Sequence, residues 1–263
     1  MTGGAGRLGS QYARALAAAG AAVAACDLAG TPSATVQQAI DQRASISFHT
    51  VDVASRHATD AVFADVTGRH GTPTILVNNA GLGSSPADAA LETGPFEEYP
   101  ESAWRAMLES HLTTTLVATQ AFIAAFKRAR RTRADLTGSI INVSSTYGVV
   151  TPDQSMYAFR RRDGDEYYKP VGYSVAKSGV LNFTRWLAEY CAPFGVRVNT
   201  LVPGGVQEAE HAPEFVAEYC RRTPLGRMAR EDDYNGAVVF LASAASAYMT
   251  GATLVVDGGW TAR

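Results

Sequence analysis

Thr2-Gly3-Gly4-Ala5-Gly6-Arg7-Leu8-Gly9 runs straight into a helical pattern, Ser10 to Ala19. Glycines at 3, 6 and 9 let backbone approach a ligand closely, and the helix N-terminus that follows favours an anion such as pyrophosphate. The next run, Ala21-Ala22-Val23-Ala24-Ala25-Cys26, reads as a strand ending at Asp27. An acid about 20 residues past such a turn suits a ribose 2′-hydroxyl and repels a 2′-phosphate. No arginine adjoins Asp27. Together these features predict a dinucleotide-binding βα unit and favour NAD over NADP.

Downstream, the pattern repeats. Thr31 to Arg43 reads as a helix, Ile46 to Val51 as a strand leading to Asp52-Val53, and Ser55 to His70 as a helix. Asp52 is placed to meet the adenine amine or to cap the helix after it. Thr74-Ile75-Leu76-Val77 is a buried strand closed by Asn78-Asn79-Ala80-Gly81. Ala-rich helices alternating with short β-branched runs predict an α/β fold, a doubly wound parallel sheet of the Rossmann type. With 263 residues and no low-complexity linker, the chain is read as one domain, 1–263.

A second stretch carries chemistry. Ser139-Ile140-Ile141-Asn142-Val143 is followed by Ser144-Ser145-Thr146-Tyr147-Gly148, and later by Tyr173-Ser174-Val175-Ala176-Lys177. Tyr and Lys four apart share one helix face. A free tyrosine ionises near ~10, and a neighbouring ammonium favours its phenolate. With a serine hydroxyl to orient an oxygen, the trio suits proton exchange with an alcohol while hydride moves at the adjacent carbon.

The glycine turn, Asp27, Asp52, Asn78 to Gly81, Ser145, Tyr173 and Lys177, followed by Arg197-Val198-Asn199, Pro203-Gly204 and Asp257-Gly258-Gly259, resemble the single-domain short-chain dehydrogenases/reductases across nearly the whole chain. The resemblance implies that Ser145, Tyr173 and Lys177 are catalytic. It implies cofactor contacts from Gly3, Gly6, Leu8, Gly9, Asp27, Asp52, Val53, Asn79, Ala80, Gly81, Tyr173, Lys177, Pro203, Gly204 and Val206. It also implies a small-molecule substrate and a homodimer or homotetramer. Three departures stand out. His111 occupies the place of a relay Asn seven residues beyond Trp104, as a stand-in or as a structural histidine. Gln207-Glu208 replaces a Thr expected near the nicotinamide amide. Arg7 sits where the turn commonly has glycine.

Tyr173 follows Ser145 by 28 positions, about twice the spacing usual in the family. The insert, 152–172, is expected to leave and return as a loop bordering the substrate. Its Arg160, Arg161 and Arg162 are candidates for an anionic group, or form a charge run balanced by Asp163, Asp165 and Glu166. Residues 207–223 are expected to form a lid, with Glu208, Glu210 and His211 facing a polar substrate. Glu101 to Arg131 reads as one long helix with Trp104, Leu108, Leu112, Leu116, Ala121 and Phe122 on its apolar side. The insert and the Gly258-to-Thr261 tail also resemble a subgroup linked to bacterial surface-sugar and flagellin-glycan pathways, which implies a sugar or sugar phosphate substrate. A sugar epimerase or dehydratase that uses NAD transiently, and a weakly catalytic NAD-binding regulatory subunit, stay open beside the dehydrogenase.

Net charge −2 gives no reason to expect nucleic acid. No run reaches the ~18 apolar residues of a membrane span. Cys26, Cys191 and Cys220 lack metal-ligand spacing, so no metal is expected and a reducing cytoplasm is the simplest home. Finally, only Met1 precedes the glycine turn. The expectation is that the natural protein begins roughly five to ten residues earlier with an apolar strand. An open slot or direct pairing is then expected between the strands at Ala21–Cys26 and Thr74–Val77.

Overall fold

The computed structural model describes residues 1–83, 93–162 and 167–262. Helix α1 (Arg7–Ala18) follows the glycine turn. Then come β1 (Val23–Asp27), α2 (Ala34–Asp41), β2 (Ile46–Thr50), α3 (Arg56–His70), β3 (Ile75–Asn78), α4 (Glu101–Leu108), α5 (Thr114–Arg130), β4 (Gly138–Val143), α6 (Thr146–Val149), α7 (Ala158–Arg162), α8 (Val171–Cys191), β5 (Val196–Pro203), α9 (Pro213–Arg222), α10 (Asn235–Ala242) and β6 (Thr253–Val256).

All described strand pairs are parallel: β1 with β2, and β3-β4-β5-β6 in that order. Alternation along each strand feeds two cores. Val77, Ile141, Val143 and Leu201 face α1 and α10, meeting Tyr12, Leu16, Val238 and Leu241. Leu76, Ile140 and Val198 face α5 and α8, meeting Phe122, Phe126, Leu187 and Cys191. Helices therefore cover both faces, as buried parallel strands require.

The two sheets meet at one rung. The Met1 carbonyl accepts from the Cys26 N–H at 2.9 Å, and the Thr2 N–H donates to the Val77 carbonyl at 3.0 Å. Beyond that rung, β1 and β3 stand apart across a cavity of about 360 Å³. Its walls include Val23, Ala24, Ile75 and Leu76. This is the open-slot geometry of the two expected alternatives.

The long helix expected over Glu101 to Arg131 is interrupted. Glu109–Thr113 forms a π-helical turn between α4 and α5. A π turn inserts one residue, so the faces before and after it are out of α-helical register. Leu116, expected on the apolar side, is exposed, while Val117 and Ala118 are buried. The insert is a second correction. It does not merely loop out: Gln154–Tyr157 forms a 3₁₀ turn that runs into α7.

A polar chain crosses the sheet beneath the site. Asn78 Nδ2 donates to Asn142 Oδ1 at 2.8 Å and to Thr119 Oγ1 at 3.0 Å. Asn142 Nδ2 donates to Thr184 Oγ1 at 2.9 Å, and Thr184 meets Thr200 at 2.8 Å. All five residues are buried, so the strand ends of β3, β4 and β5 and the helices α5 and α8 are held by one hydrogen-bonded unit. Asn142→Ala leaves partners unsatisfied and opens a small cavity. Its expected cost is about 2–4 kcal/mol, read as a lowered chemical-denaturation midpoint with unchanged slope.

Candidate active site

The expected site residues come from the C-terminal ends of the parallel strands, where an open α/β sheet builds its crevice. They border one cavity of about 1040 Å³. Gly3, Gly6 and Leu8 contribute from the turn and the start of α1, Asp27 from the end of β1, and Asp52 and Val53 from beyond β2. Asn79, Ala80 and Gly81 follow β3, and Pro203, Gly204 and Val206 close β5. Gly9 lies beneath this lining. A Cβ there would fall 1.9 Å from the Gly3 carbonyl oxygen, so only glycine permits the turn to fold onto α1. No side chain caps α1 at Gly6. A tight turn without side chains, opening an uncapped helix N-terminus, fits a dinucleotide pyrophosphate.

Neighbouring groups hold this cradle. Thr2 Oγ1 accepts from the Asn79 and Ala80 N–H groups, both at 3.1 Å, and Asn79 Nδ2 donates to the Gly3 carbonyl at 3.2 Å. Asp27 accepts from Ala5 N–H at 2.8 Å and from Ala29 N–H at 3.1 Å. Its carboxylate is thus fixed at the cavity wall. Asp52 is not the cap of α3: Ser55 is, accepting from Ala58 N–H, while Asp52 accepts from Ala54 N–H at 2.9 Å.

Ser145, Tyr173, Lys177 and His111 all line the same cavity. Ser145 caps α6 and accepts from Tyr147 N–H at 3.2 Å. Despite the insert, α6 is bound directly to α8. Ser144 Oγ donates to the Lys177 carbonyl at 2.7 Å, and Ser178 Oγ to the Gly148 carbonyl at 2.9 Å. Lys177 is buried, and its Nζ donates to the Val143 carbonyl at 3.0 Å, 5.8 Å from the Tyr173 ring centre. Burial lowers the Lys177 pKa to about 8. Three other phenols on the cavity wall are driven away from working acid–base range by burial: Tyr147 and Tyr157 upward, and Tyr219 up to about 12.

His111 sits in the π turn with its ring edge-on to Tyr173, centres 5.5 Å apart. It is buried, and neither ring nitrogen has a hydrogen-bond partner among the described residues. Burial, reinforced by the Lys177 charge, holds its pKa well below the usual value, so the imidazole is neutral. A Cβ on Gly81 would fall 2.1 Å from this ring. Glycine at 81 therefore makes room for histidine at 111.

Arg7 and Glu208, two of the departures noted in the sequence, meet each other. Arg7 Nη1 lies 2.6 Å from Glu208 Oε1, joining the glycine turn to the segment after β5. The arginines of the insert fare differently. Arg160 lies over the Tyr167 ring at 4.3 Å and is not part of the cavity wall. The side chains of Arg161 and Arg162 fall outside the described residues, as do residues 163–166. Among the described insert side chains, Lys169 brings a cation to the cavity, with Tyr157 beside it. From the segment 207–223, Glu208, Glu210, His211, Phe215 and Tyr219 also reach the wall.

This fold and site define a nicotinamide-dependent alcohol oxidoreductase. A family profile described as enoyl-(acyl carrier protein) reductase matches residues 4–261. A cis-4-hydroxycyclohexanecarboxylate dehydrogenase of Sinomonas cyclohexanicum is 32% identical over 265 residues, covering 100% of this chain and 95% of that one. A short-chain dehydrogenase of Leptospira borgpetersenii with bound NAD⁺ superposes with TM-score 0.82 at 30% identity, covering 99% of this chain and 91% of that one. A gluconate 5-dehydrogenase of Burkholderia cenocepacia in complex with NADP and tartrate gives TM-score 0.83 at 28% identity, covering 100% and 94%. The chain belongs to the short-chain dehydrogenase/reductase family.

The lowered Lys177 pKa has a consequence for stability. Between about 8 and the ordinary lysine value of 10.5 the folded lysine holds fewer protons than the unfolded one. Stability of the cofactor-free protein therefore rises with pH through that window and is lost again as pH falls toward 8. Lys177→Met removes this contribution. Denaturation midpoints measured at pH 7.5, 8.5 and 9.5 should show a smaller pH slope in the variant than in the wild type.

Proposed function

We propose that the protein oxidises a secondary alcohol, or reduces the matching ketone, on a sugar or sugar-derived substrate with NAD. The placement of Tyr173, Lys177 and Ser145 on the wall of the cavity that also holds the glycine turn and Asp27 carries this reading. When bound, the nicotinamide accepts or returns the hydride.

Every proton step belongs to the chain. Tyr173 takes the hydroxyl proton in oxidation and returns it in reduction. Lys177, one helical turn away, favours the phenolate through its charge. Ser145 orients the substrate oxygen by donating a hydrogen bond. The unpaired ring nitrogens of His111 are suited to a water between the imidazole and Lys177, which carries protons onward from the phenol. The gluconate 5-dehydrogenase likeness supports a polyhydroxylated substrate. Asp27, followed by Leu28 and Ala29 and by no cation, supports NAD, because a 2′-phosphate would meet a fixed carboxylate.

Two outcomes test the reading. Tyr173→Phe should lower kcat by about a thousandfold while NAD affinity, measured by calorimetry, stays within about threefold of wild type. Unaltered turnover in that variant excludes Tyr173 as the acid–base group. NAD should also bind at least about tenfold more tightly than NADP. In Asp27→Ala that preference should narrow, and equal dissociation constants in the wild type would refute the role given to Asp27.

A further inference from the structure

We propose that Arg7 is a ligand of the dinucleotide pyrophosphate, held in waiting by Glu208 and Glu231 until the cofactor enters. The proposal rests on the glycine turn as a dinucleotide cradle. It does not depend on which alcohol is oxidised.

Arg7 is the first residue of α1, next to the uncapped Gly6. The N–H groups of that helix end suit an anion, and Arg7 lines the cavity together with Gly6 and Leu8. The two lysines on the described wall stand by the phenol instead. Lys169 Nζ is 5.7 Å and Lys177 Nζ 5.8 Å from the Tyr173 ring centre. Arg7 is therefore the cation that the described wall brings to the glycine turn.

Two acids meet it. Arg7 Nη1 lies 2.6 Å from Glu208 Oε1, and Arg7 Nε lies 3.5 Å from Glu231 Oε1. Both acids are tethered. Beside Glu208, the Gln207 N–H donates to the Ala229 carbonyl at 2.9 Å. The Glu208 N–H itself donates to His211 Nδ1 at 3.2 Å. Glu231 accepts from Gln11 Nε2 at 3.3 Å. Arg7 is the long, rotatable member, with its side chain 36% exposed. An exchange of partners therefore moves the arginine and leaves the acids in place.

Charge balance favours such an exchange. One guanidinium between two carboxylates leaves this rim negative, and a pyrophosphate at the helix end makes it more so. Arg7 offsets the repulsion when it turns to the phosphate oxygens, which its planar fork matches. The ion pair is partly exposed, so opening it costs little. Glu208 and Glu231 then oppose cofactor binding while Arg7 supports it, and the affinity is set by their competition.

Calorimetry at low salt tests this with NAD, ADP and adenosine, the last of which carries no phosphate. In Arg7→Leu the dissociation constants of NAD and ADP should rise about thirtyfold while that of adenosine stays the same. Arg7→Lys should recover part of the loss. In Glu208→Gln/Glu231→Gln, where no carboxylate competes for the guanidinium, NAD and ADP should bind about fivefold more tightly. Adding Arg7→Leu to that double variant separates contact from shielding. A direct ligand costs a similar factor there. A loss that vanishes in the glutamine background would mean that Arg7 only screens the two acids, and would overturn the proposal. Equal weakening of adenosine and NAD in Arg7→Leu would make Arg7 a structural prop and overturn it as well. Unchanged or weaker binding in the double glutamine variant would reject the exchange. A wild type that binds NAD but oxidises no alcohol refutes the function proposed above and leaves Arg7 to be decided by these constants. A wild type that binds neither NAD nor ADP rejects Arg7 as their ligand.

Discussion

The contact on which the site depends is the hydrogen bond from Lys177 Nζ to the Val143 carbonyl. A buried ammonium needs an acceptor, and the C-terminal end of β4 supplies one that cannot move. The bond therefore fixes the rotation of α8 against the sheet. Tyr173 follows from that rotation, being one turn earlier on the same helix. Ser145 follows from the same strand end, two residues past Val143. One interaction thus places Lys177, Tyr173 and Ser145 together, and the buried Asn78–Asn142–Thr184 chain below it keeps β3, β4 and α8 in step.

Most of this was legible in the sequence. Glycines at 3, 6 and 9 have a steric meaning that survives without coordinates, because nothing larger permits Gly9 to lie against the Gly3 carbonyl. Strand ends were legible from runs such as Ile140-Ile141-Asn142-Val143, where apolar residues stop at polar ones. The π turn was not. Its effect is a one-residue shift in register, and the spacing of Leu108, Leu112 and Leu116 continues across it as though nothing happened. Lys169 had a fainter signal. A lysine just before a helix start opposes the helix dipole, which makes a cation there worth noticing. The three arginines drew the eye by number, although Arg160 lies off the cavity wall and Lys169 lies on it.

Two departures from the family pattern turn out to be one feature. Arg7 and Glu208 lie on opposite sides of the cleft in sequence and meet at 2.6 Å. Both are partly exposed, so the pair contributes little to stability. Its position matters more than its strength, because it joins the glycine turn to the segment that follows β5. His111 and Gly81 form another such couple: the ring occupies the volume that a side chain at 81 would need. Read singly, His111 and Glu208 look like losses of function. Read with their partners, they are substitutions that the surrounding chain accommodates.

The insert raises the question of how a long addition between Ser145 and Tyr173 leaves both on one cavity wall. Its answer lies in where it buries its apolar groups. Met156, Tyr157 and Tyr167 pack with Phe215, Tyr219 and Met228, and Trp260 stacks on Tyr219 at 4.3 Å. Arg222 ties α9 back to the insert through Asp153 and Ser155, both at 2.9 Å. None of these residues belongs to the sheet, so the insert makes its own core with α9 and the C-terminal residues. The Ser144–Lys177 and Ser178–Gly148 bonds hold α6 to α8 independently of it. The α6–α8 contact and the insert are consequently supported by separate packing. Parting the insert from α9 would expose a shared aromatic cluster, which favours their acting as one wall.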